Sequence, residues 1–118
     1  MALHHQTGKT GEALAAVYLL EKGFRIIHQN WRHSHWEVDI IAQKDHTLHF
    51  KEVKTRRTKK FGFPEDNVDK KKITALINAA EEYVYQYPQW KRIQFNILSI
   101  TLLKNEAPAY FFIEDVYL

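Results

Sequence analysis

The chain has 118 residues and a mass of 14.0 kDa, the common size of one domain, so we expect a single domain over residues 1–118. It contains no cysteine, which excludes a disulfide scaffold, a thiolate-bound metal and a thiol nucleophile. The net charge of +3 does not by itself indicate a polyanionic partner, and the lack of an apolar run of roughly 18 residues favours a cytoplasmic protein with no membrane partner.

The first predicted element is a helix over residues 10–22. Apolar residues recur there at three- and four-residue spacing up to Leu20, and Gly23 provides a stop. Three extended segments follow, over residues 24–31, 37–42 and 47–54. The short polar stretch 43–46 is expected to join the second and third segments as a β-hairpin.

The second helix has the clearest periodicity in the chain. Its apolar stripe runs from Ile73 to Tyr87, with Asn67 as a cap and Pro88 beyond the end. Two more strands are predicted over residues 92–103 and 109–116. Both faces of such apolar central strands must be covered, so the order predicts an α/β fold in which two helices flank a mixed central sheet.

Basic residues are concentrated in the middle third of the chain. Six lie between positions 51 and 60 with one acid, Glu52, and three lysines occupy positions 70–72. Much of this charge falls in a predicted loop over residues 55–66. Two interpretations fit: a solvated face, or a strip that contacts phosphate groups. The six are Lys51, Lys54, Arg56, Arg57, Lys59 and Lys60.

The segment Glu52-Val53-Lys54 is the first candidate for chemistry, because a strand projects Glu52 and Lys54 from the same face. If hairpin partners have numbers that add up to about 91, Asp39 faces Glu52 and Glu37 faces Lys54. Opposed like charges are destabilising. Three explanations are open for the acid pair: a bound divalent cation, a raised pKa that neutralises one carboxyl, or another register.

The first explanation implies Mg²⁺ or Mn²⁺, which bind one or two carboxylates and keep several waters. Lys54 beside the metal would orient or activate a water and offset charge on a phosphate. In the alternative, Glu37 and Lys54 form an ordinary cross-strand ion pair. Asp39 and Glu52 then lie on a solvated strand end.

Six spaced motifs lie between residues 8 and 76. They are Gly8-x-x-Gly11-Glu12-x-x-Ala15, Tyr18-Leu19, Asn30-x-Arg32, Glu37-Val-Asp39-Ile-Ile-Ala42, Glu52-Val-Lys54-x-Arg56 and Val68-x-x-x-Lys72-x-x-x-Leu76. In this order they resemble the YraN-like family, and the resemblance extends to about residue 100. With the order of elements, they also resemble the PD-(D/E)XK nuclease superfamily, and the YraN-like family is similar to archaeal Holliday-junction resolvases.

The resemblance implies a restriction endonuclease-like core and a Mg²⁺- or Mn²⁺-dependent endonuclease acting on DNA, including branched structures. Asp39 and Glu52 would hold the metal with the backbone carbonyl of Val53, and Lys54 would serve the attacking water. Glu12 would be a further acidic member of the site; otherwise it is a favourable charge near a helix N-terminus. Resolvase-like relatives suggest a homodimer. The nucleic-acid backbone would be contacted by Arg56, Arg57, Lys59, Lys60 and Lys72.

Two alternatives from other functional classes stay open. One is a nucleic-acid-binding module of the same fold without turnover, and the other is a subunit that recruits a protein through an exposed strand edge. The sequence departs from the family pattern at Trp36, where glycine is usual, and at residues 94–96, Gln-Phe-Asn, where Arg-Phe-Asp is often found. An exposed Trp31 or Trp36 is a better candidate for stacking on a base than the three tyrosines near the end of the second helix.

Overall fold

The computed structural model describes residues 2–57 and 70–114, with side chains for residues 10–57 and 71–114. No helix in these ranges is both long and apolar enough to cross a bilayer. The predicted order of elements is confirmed. In these ranges it is α1 (Ala2–Glu21), β1 (Arg25–His33), β2 (Trp36–Lys44), β3 (Thr47–Arg56), α2 (Lys70–Gln86), β4 (Arg92–Thr101) and β5 (Ala109–Ile113).

The boundaries differ most at the first helix. It begins at Ala2 rather than at residue 10. The prediction missed its first two turns because they carry no apolar periodicity and include Gly8, a weak helix former. The hairpin strands extend to the turn at Asp45 and His46, where Asp45 has a positive φ of 56°. The predicted cap Asn67 and most of the predicted loop, from residue 58 onward, lie outside the described residues.

The five strands form one mixed sheet in the order β1-β2-β3-β4-β5. Every neighbouring pair is antiparallel except β3 and β4, which are parallel and are joined by the crossover that contains α2. The predicted hairpin register is confirmed, because the five pairs from Ile40↔Lys51 to Lys44↔Thr47 all have numbers that add up to 91.

A helix covers each face of the sheet, as predicted, so the central strands are buried on both sides. On one face α2 contributes Leu76, Ala79, Ala80 and Tyr83, which pack on Val38, Ile41, Leu48 and Phe50. On the other face α1 contributes Ala15 and Leu19, which pack with Phe24, Ile40, Ala42, Leu98 and Ile100.

The alternation of strand β2 is interrupted around Asp39. Val38 packs in the α2 layer and Ile40 in the α1 layer, although residues two apart in a regular strand share a face. On β1, Asn30 lies between the residues that pair with Val38 and Ile40, and it has a φ of 53°, a conformation that asparagine adopts more readily than most residues. This irregularity sets the direction of the Asp39 side chain.

Candidate functional site

Asp39 lies where β2 and β3 cease to pair. The last pair of the ladder at this end is Ile40↔Lys51. Two residues beyond Lys51 on β3, the backbone N–H of Val53 donates a hydrogen bond to Oδ2 of Asp39, at 2.8 Å. A carboxylate therefore takes the place of a backbone carbonyl as the acceptor for Val53, which holds Asp39 beside Glu52.

The surroundings of Asp39 shift its protonation equilibrium toward the neutral carboxyl. Burial raises the pKa of Asp39, and the charge of Glu52 raises it further; Glu37 and Glu12 add smaller contributions, and the hydrogen bond from Val53 opposes them. The net effect raises the pKa of Asp39 to about 7. This shift is in the direction that the second explanation for the acid pair, a raised pKa, requires.

Glu52 and Lys54 project from the same face of β3, as predicted. Nζ of Lys54 lies 3.4 Å from Oε1 of Glu52, and Nζ of Lys72, from the first turn of α2, lies 3.7 Å from the same oxygen. Burial lowers the pKa of Lys54, and the neighbouring Lys72 lowers it further against the opposing effect of Glu52. A lowered lysine pKa increases the fraction of the side chain that is present as the neutral amine at a given pH.

Glu12 reaches this region because α1 packs tightly on β3. A Cβ atom at Gly11 would overlap the side chain of Thr55, so only glycine allows the approach. Glu12 follows directly and is close enough to raise the pKa of Asp39. The alternative for Glu12, a charge near a helix N-terminus, is wrong, since α1 begins at Ala2.

Glu37 has a different partner from the one the hairpin register suggested. Its Oε2 accepts a hydrogen bond from Nε of Arg32 on β1, at 3.0 Å. Lys54 is paired with Glu52 instead. The expected cross-strand pair of Glu37 and Lys54 is therefore wrong, because Glu37 is the direct partner of Arg32 in the β1–β2 ladder and the β2–β3 ladder ends at Ile40.

The predicted basic residues have separate locations. Nε of Arg56 donates a hydrogen bond to Oγ1 of Thr101 on β4, Arg57 is exposed at the end of β3, and Lys72 approaches Glu52. Lys59 and Lys60 lie outside the described residues. Contacts between these five residues and nucleic acid stay a prediction.

Lys51 does not belong to a surface strip, although the basic segment includes it in sequence. Its side chain is 0% exposed, and its Nζ lies 3.8 Å from the ring centre of Phe24 and 4.5 Å from that of Phe112. Nζ also donates a hydrogen bond to Oδ1 of Asn96, which contacts Nδ1 of His49 as well. Burial lowers the pKa of Lys51 to about 7.

Sequence reasoning missed this buried polar group. Its signal was the placement of His49 and Lys51 on alternate positions of β3, opposite Gln94 and Asn96 in the parallel ladder to β4. The departures at Gln94 and Asn96 belong here rather than beside the acids, since Nδ2 of Asn96 donates to Oε1 of Gln94. The Asn96 amide thus contacts both the buried lysine and the histidine, and Gln94 accepts a hydrogen bond from Asn96 in turn.

The donor set suits a hard cation that needs few protein ligands. Asp39 and Glu52 offer carboxylate oxygens, which Mg²⁺ binds one or two at a time, leaving positions for water and phosphate. Within residues 10–57 and 71–114, no three His, Asp or Glu side chains lie close enough together to hold a metal ion. The acid pair therefore fits Mg²⁺ or Mn²⁺ in a site completed by substrate and water, and does not fit a closed structural site.

Known proteins of similar sequence share one family. The model of an uncharacterised family, UPF0102, matches residues 11–100. UPF0102 proteins of Dictyoglomus thermophilum and Christiangramia forsetii are 44% and 43% identical to the chain, over 85% and 91% of its length and 86% and 88% of theirs. The Bacteroides thetaiotaomicron UPF0102 protein is 41% identical over 85% of the chain and 83% of its own length. The chain therefore belongs to the UPF0102 family, which confirms the YraN-like resemblance of its motifs.

Proposed function

We propose that this protein is a Mg²⁺- or Mn²⁺-dependent endonuclease of the PD-(D/E)XK superfamily that hydrolyses phosphodiester bonds in DNA, including branched structures. The observation that carries the proposal is the convergence of Asp39, Glu52 and Lys54 where strands β2 and β3 separate. The mixed sheet with a helix on each face supports a restriction endonuclease-like fold.

Each of the three side chains has a role in such a reaction. Asp39 and Glu52, with the Val53 carbonyl, would hold the metal, which when bound polarises the scissile phosphate. Lys54 orients the attacking water and accepts its proton, a role that its lowered pKa favours. Glu12 adds negative charge from α1, which strengthens the attraction for a cation.

The N-terminus of α2 supports a phosphate-binding role. Lysines occupy residues 70–72 of its first turn, where the positive end of the helix dipole disfavours cations. Lys72 is offset in part by Glu52. A phosphate bound beside this turn interacts favourably with both the ammonium groups and the dipole, so the charge that is unfavourable in the isolated protein becomes favourable in a complex.

The proposal is tested by cleavage of forked and four-way DNA with Mg²⁺ or Mn²⁺. We expect Asp39→Asn, Glu52→Gln and Lys54→Ala each to remove cleavage while DNA binding survives. Glu37→Gln is the matched control, because this neighbouring acid is paired with Arg32, and it should retain activity. Retained cleavage in all three site variants would exclude the assignment.

A nucleic-acid-binding module without turnover is the second candidate. The small number of acidic groups favours it, since the part of the chain that the structure describes contains no cluster of three metal-binding side chains. Such a module binds DNA without cutting it. About six phosphate contacts would lose roughly three orders of magnitude in affinity between 50 and 200 mM salt. Salt-independent binding, or none, would eliminate this candidate.

A further inference from the structure

A surface pocket lies between the β1–β2 turn and the first half of α2. Its volume is about 640 Å³, within the range of small-molecule sites. The groups that line it include an indole ring, two lysines and a side-chain amide. They can respectively stack on a base, contact phosphate, and hydrogen-bond the edge of a base. This Trp36 pocket is lined by His35, Trp36, Lys71, Lys72, Thr74, Ala75 and Asn78.

A row of neighbouring rings holds Trp36 in place. Its ring centre lies 5.3 Å from that of His35 and 6.2 Å from that of His33. His33 stacks on Trp31 at 6.3 Å, and Trp31 meets Tyr83 of the core edge to face at 5.3 Å. A ring supported in this way offers a flat surface and loses little side-chain entropy when a ligand stacks on it.

The pocket opens next to the acidic centre. Lys72 lines the pocket, and its Nζ lies 3.7 Å from Oε1 of Glu52. The same oxygen lies 3.4 Å from Nζ of Lys54. A ligand that fills the pocket and also reaches the acids therefore passes Lys72, and the positive charge at that point suits a phosphate between the two.

We propose that the Trp36 pocket binds one unpaired nucleobase of a nucleic acid whose adjacent phosphate lies at the Asp39–Glu52 centre. The inference rests on the proposed function and narrows its substrate to DNA with an unpaired nucleotide beside the cleaved bond. A base within continuous duplex must first leave its stack to enter such a pocket, whereas an unpaired base at a fork or junction is already available. Asn78 then contacts the edge of the base, and Lys71 and Lys72 contact its flanking phosphates.

The test compares two fluorescein-labelled single strands of equal length and charge, one of thymidines and one fully abasic, bound to the full chain without metal. By fluorescence anisotropy the wild type should bind the thymidine strand roughly 10- to 100-fold more tightly. Trp36→Leu should remove this difference, and Trp36→Phe, which keeps an aromatic face, should retain most of it. Tyr85→Leu is the control, since this α2 ring is 82% exposed and lies outside the pocket lining.

Equal affinity of the wild type for the two strands, or a persistent difference in Trp36→Leu, overturns the pocket assignment. Loss of a dimer in Trp36→Leu with unchanged base discrimination also overturns it, because the pocket then holds a second copy of the chain. Thermal melting checks that the variant is folded, and Trp36→Phe carries the test if it is not. If the wild type discriminates between the two strands but cleaves no DNA, the pocket assignment stands and the nuclease proposal is rejected. If it cleaves DNA without discriminating between the strands, the nuclease proposal stands and the pocket assignment is rejected.

Discussion

Lys51 and Lys54 lie three residues apart on strand β3, on opposite faces of one sheet, and their surroundings are very different. Lys54 is paired with Glu52 and approached by Lys72 at an end of the strand that solvent reaches. Lys51 is fully buried between Phe24 and Phe112, with a neutral amide as its acceptor. Both lysines have a lowered pKa, but Lys54 forms an ion pair with a carboxylate, whereas in the described ranges Lys51 experiences the carboxylate charge of Glu114 without forming an ion pair.

A lysine with a perturbed pKa is therefore a candidate for catalysis only where a substrate can reach it. Lys51 stabilises one arrangement of β3, β4 and the residues that cover them, since it joins rings from β1's N-terminal flank and from β5 to Asn96 of β4. Lys54 has the access and the neighbours that a reaction requires. Three predictions test this division.

The largest expected effect separates the two lysines by activity. Lys54→Met should lower the rate of Mg²⁺-dependent cleavage of forked DNA by about 100-fold or more, because it removes the group that activates the water. Lys51→Met, an equally sized change on the opposite face, should leave the rate within the same order of magnitude. Equal losses in the two variants would show that Lys54 acts through the fold rather than the reaction.

The second prediction concerns the pH dependence of stability. The pKa of Lys51 is lowered from 10.5 to about 7 in the folded protein, so between these values the unfolded chain binds more protons and stability rises with pH. This contribution is complete above pH 10.5 and is lost as the pH falls to about 7. Lys51→Met should remove a rise of roughly 2 to 4 kcal/mol, measured by urea unfolding at pH 7 and pH 10. An unchanged slope would contradict the buried position.

Asp39 is expected to have a smaller effect on the pH dependence of stability, with the opposite sign. Its pKa is raised from 3.8 to about 7, so its contribution to stability is complete below pH 3.8 and is lost as the pH rises to about 7. Asp39→Asn keeps an oxygen acceptor for Val53 and should stabilise the metal-free protein at pH 8 by about 1 to 2 kcal/mol. Thermal melting at pH 8 and pH 4 measures it, and the gain should vanish at pH 4. Destabilisation at pH 8 would mean that the ionised carboxylate is favourable.

Much of the fold could be predicted because local patterns and the final packing agree. The stripe from Ile73 to Tyr87 predicted α2, and the short polar turn fixed the hairpin register that places Asp39 beside Glu52. The Glu52 and Lys54 pair followed from strand periodicity alone.

The remaining features depend on contacts between distant segments. Burial of Lys51 requires Phe24, Phe112 and Asn96, which lie far from it in sequence, so its charge resembled that of its exposed neighbours. Glu37 pairs with Arg32 across the β1–β2 ladder, and the hairpin register extended the β2–β3 ladder beyond its end at Ile40. The Trp36 pocket forms only when α2 lies beside the β1–β2 turn.

The hydrogen bond from Val53 to Asp39 makes the Val53 amide sensitive to the state of the acidic centre. The Val53 N–H donates to a carboxyl group whose charge changes near neutral pH, rather than to a backbone carbonyl, whose charge does not change with pH. Whatever titrates or occupies that carboxylate alters the electron density around a single backbone nitrogen. Protonation of Asp39, or binding of a ligand to it, therefore changes the environment of the Val53 backbone amide on β3.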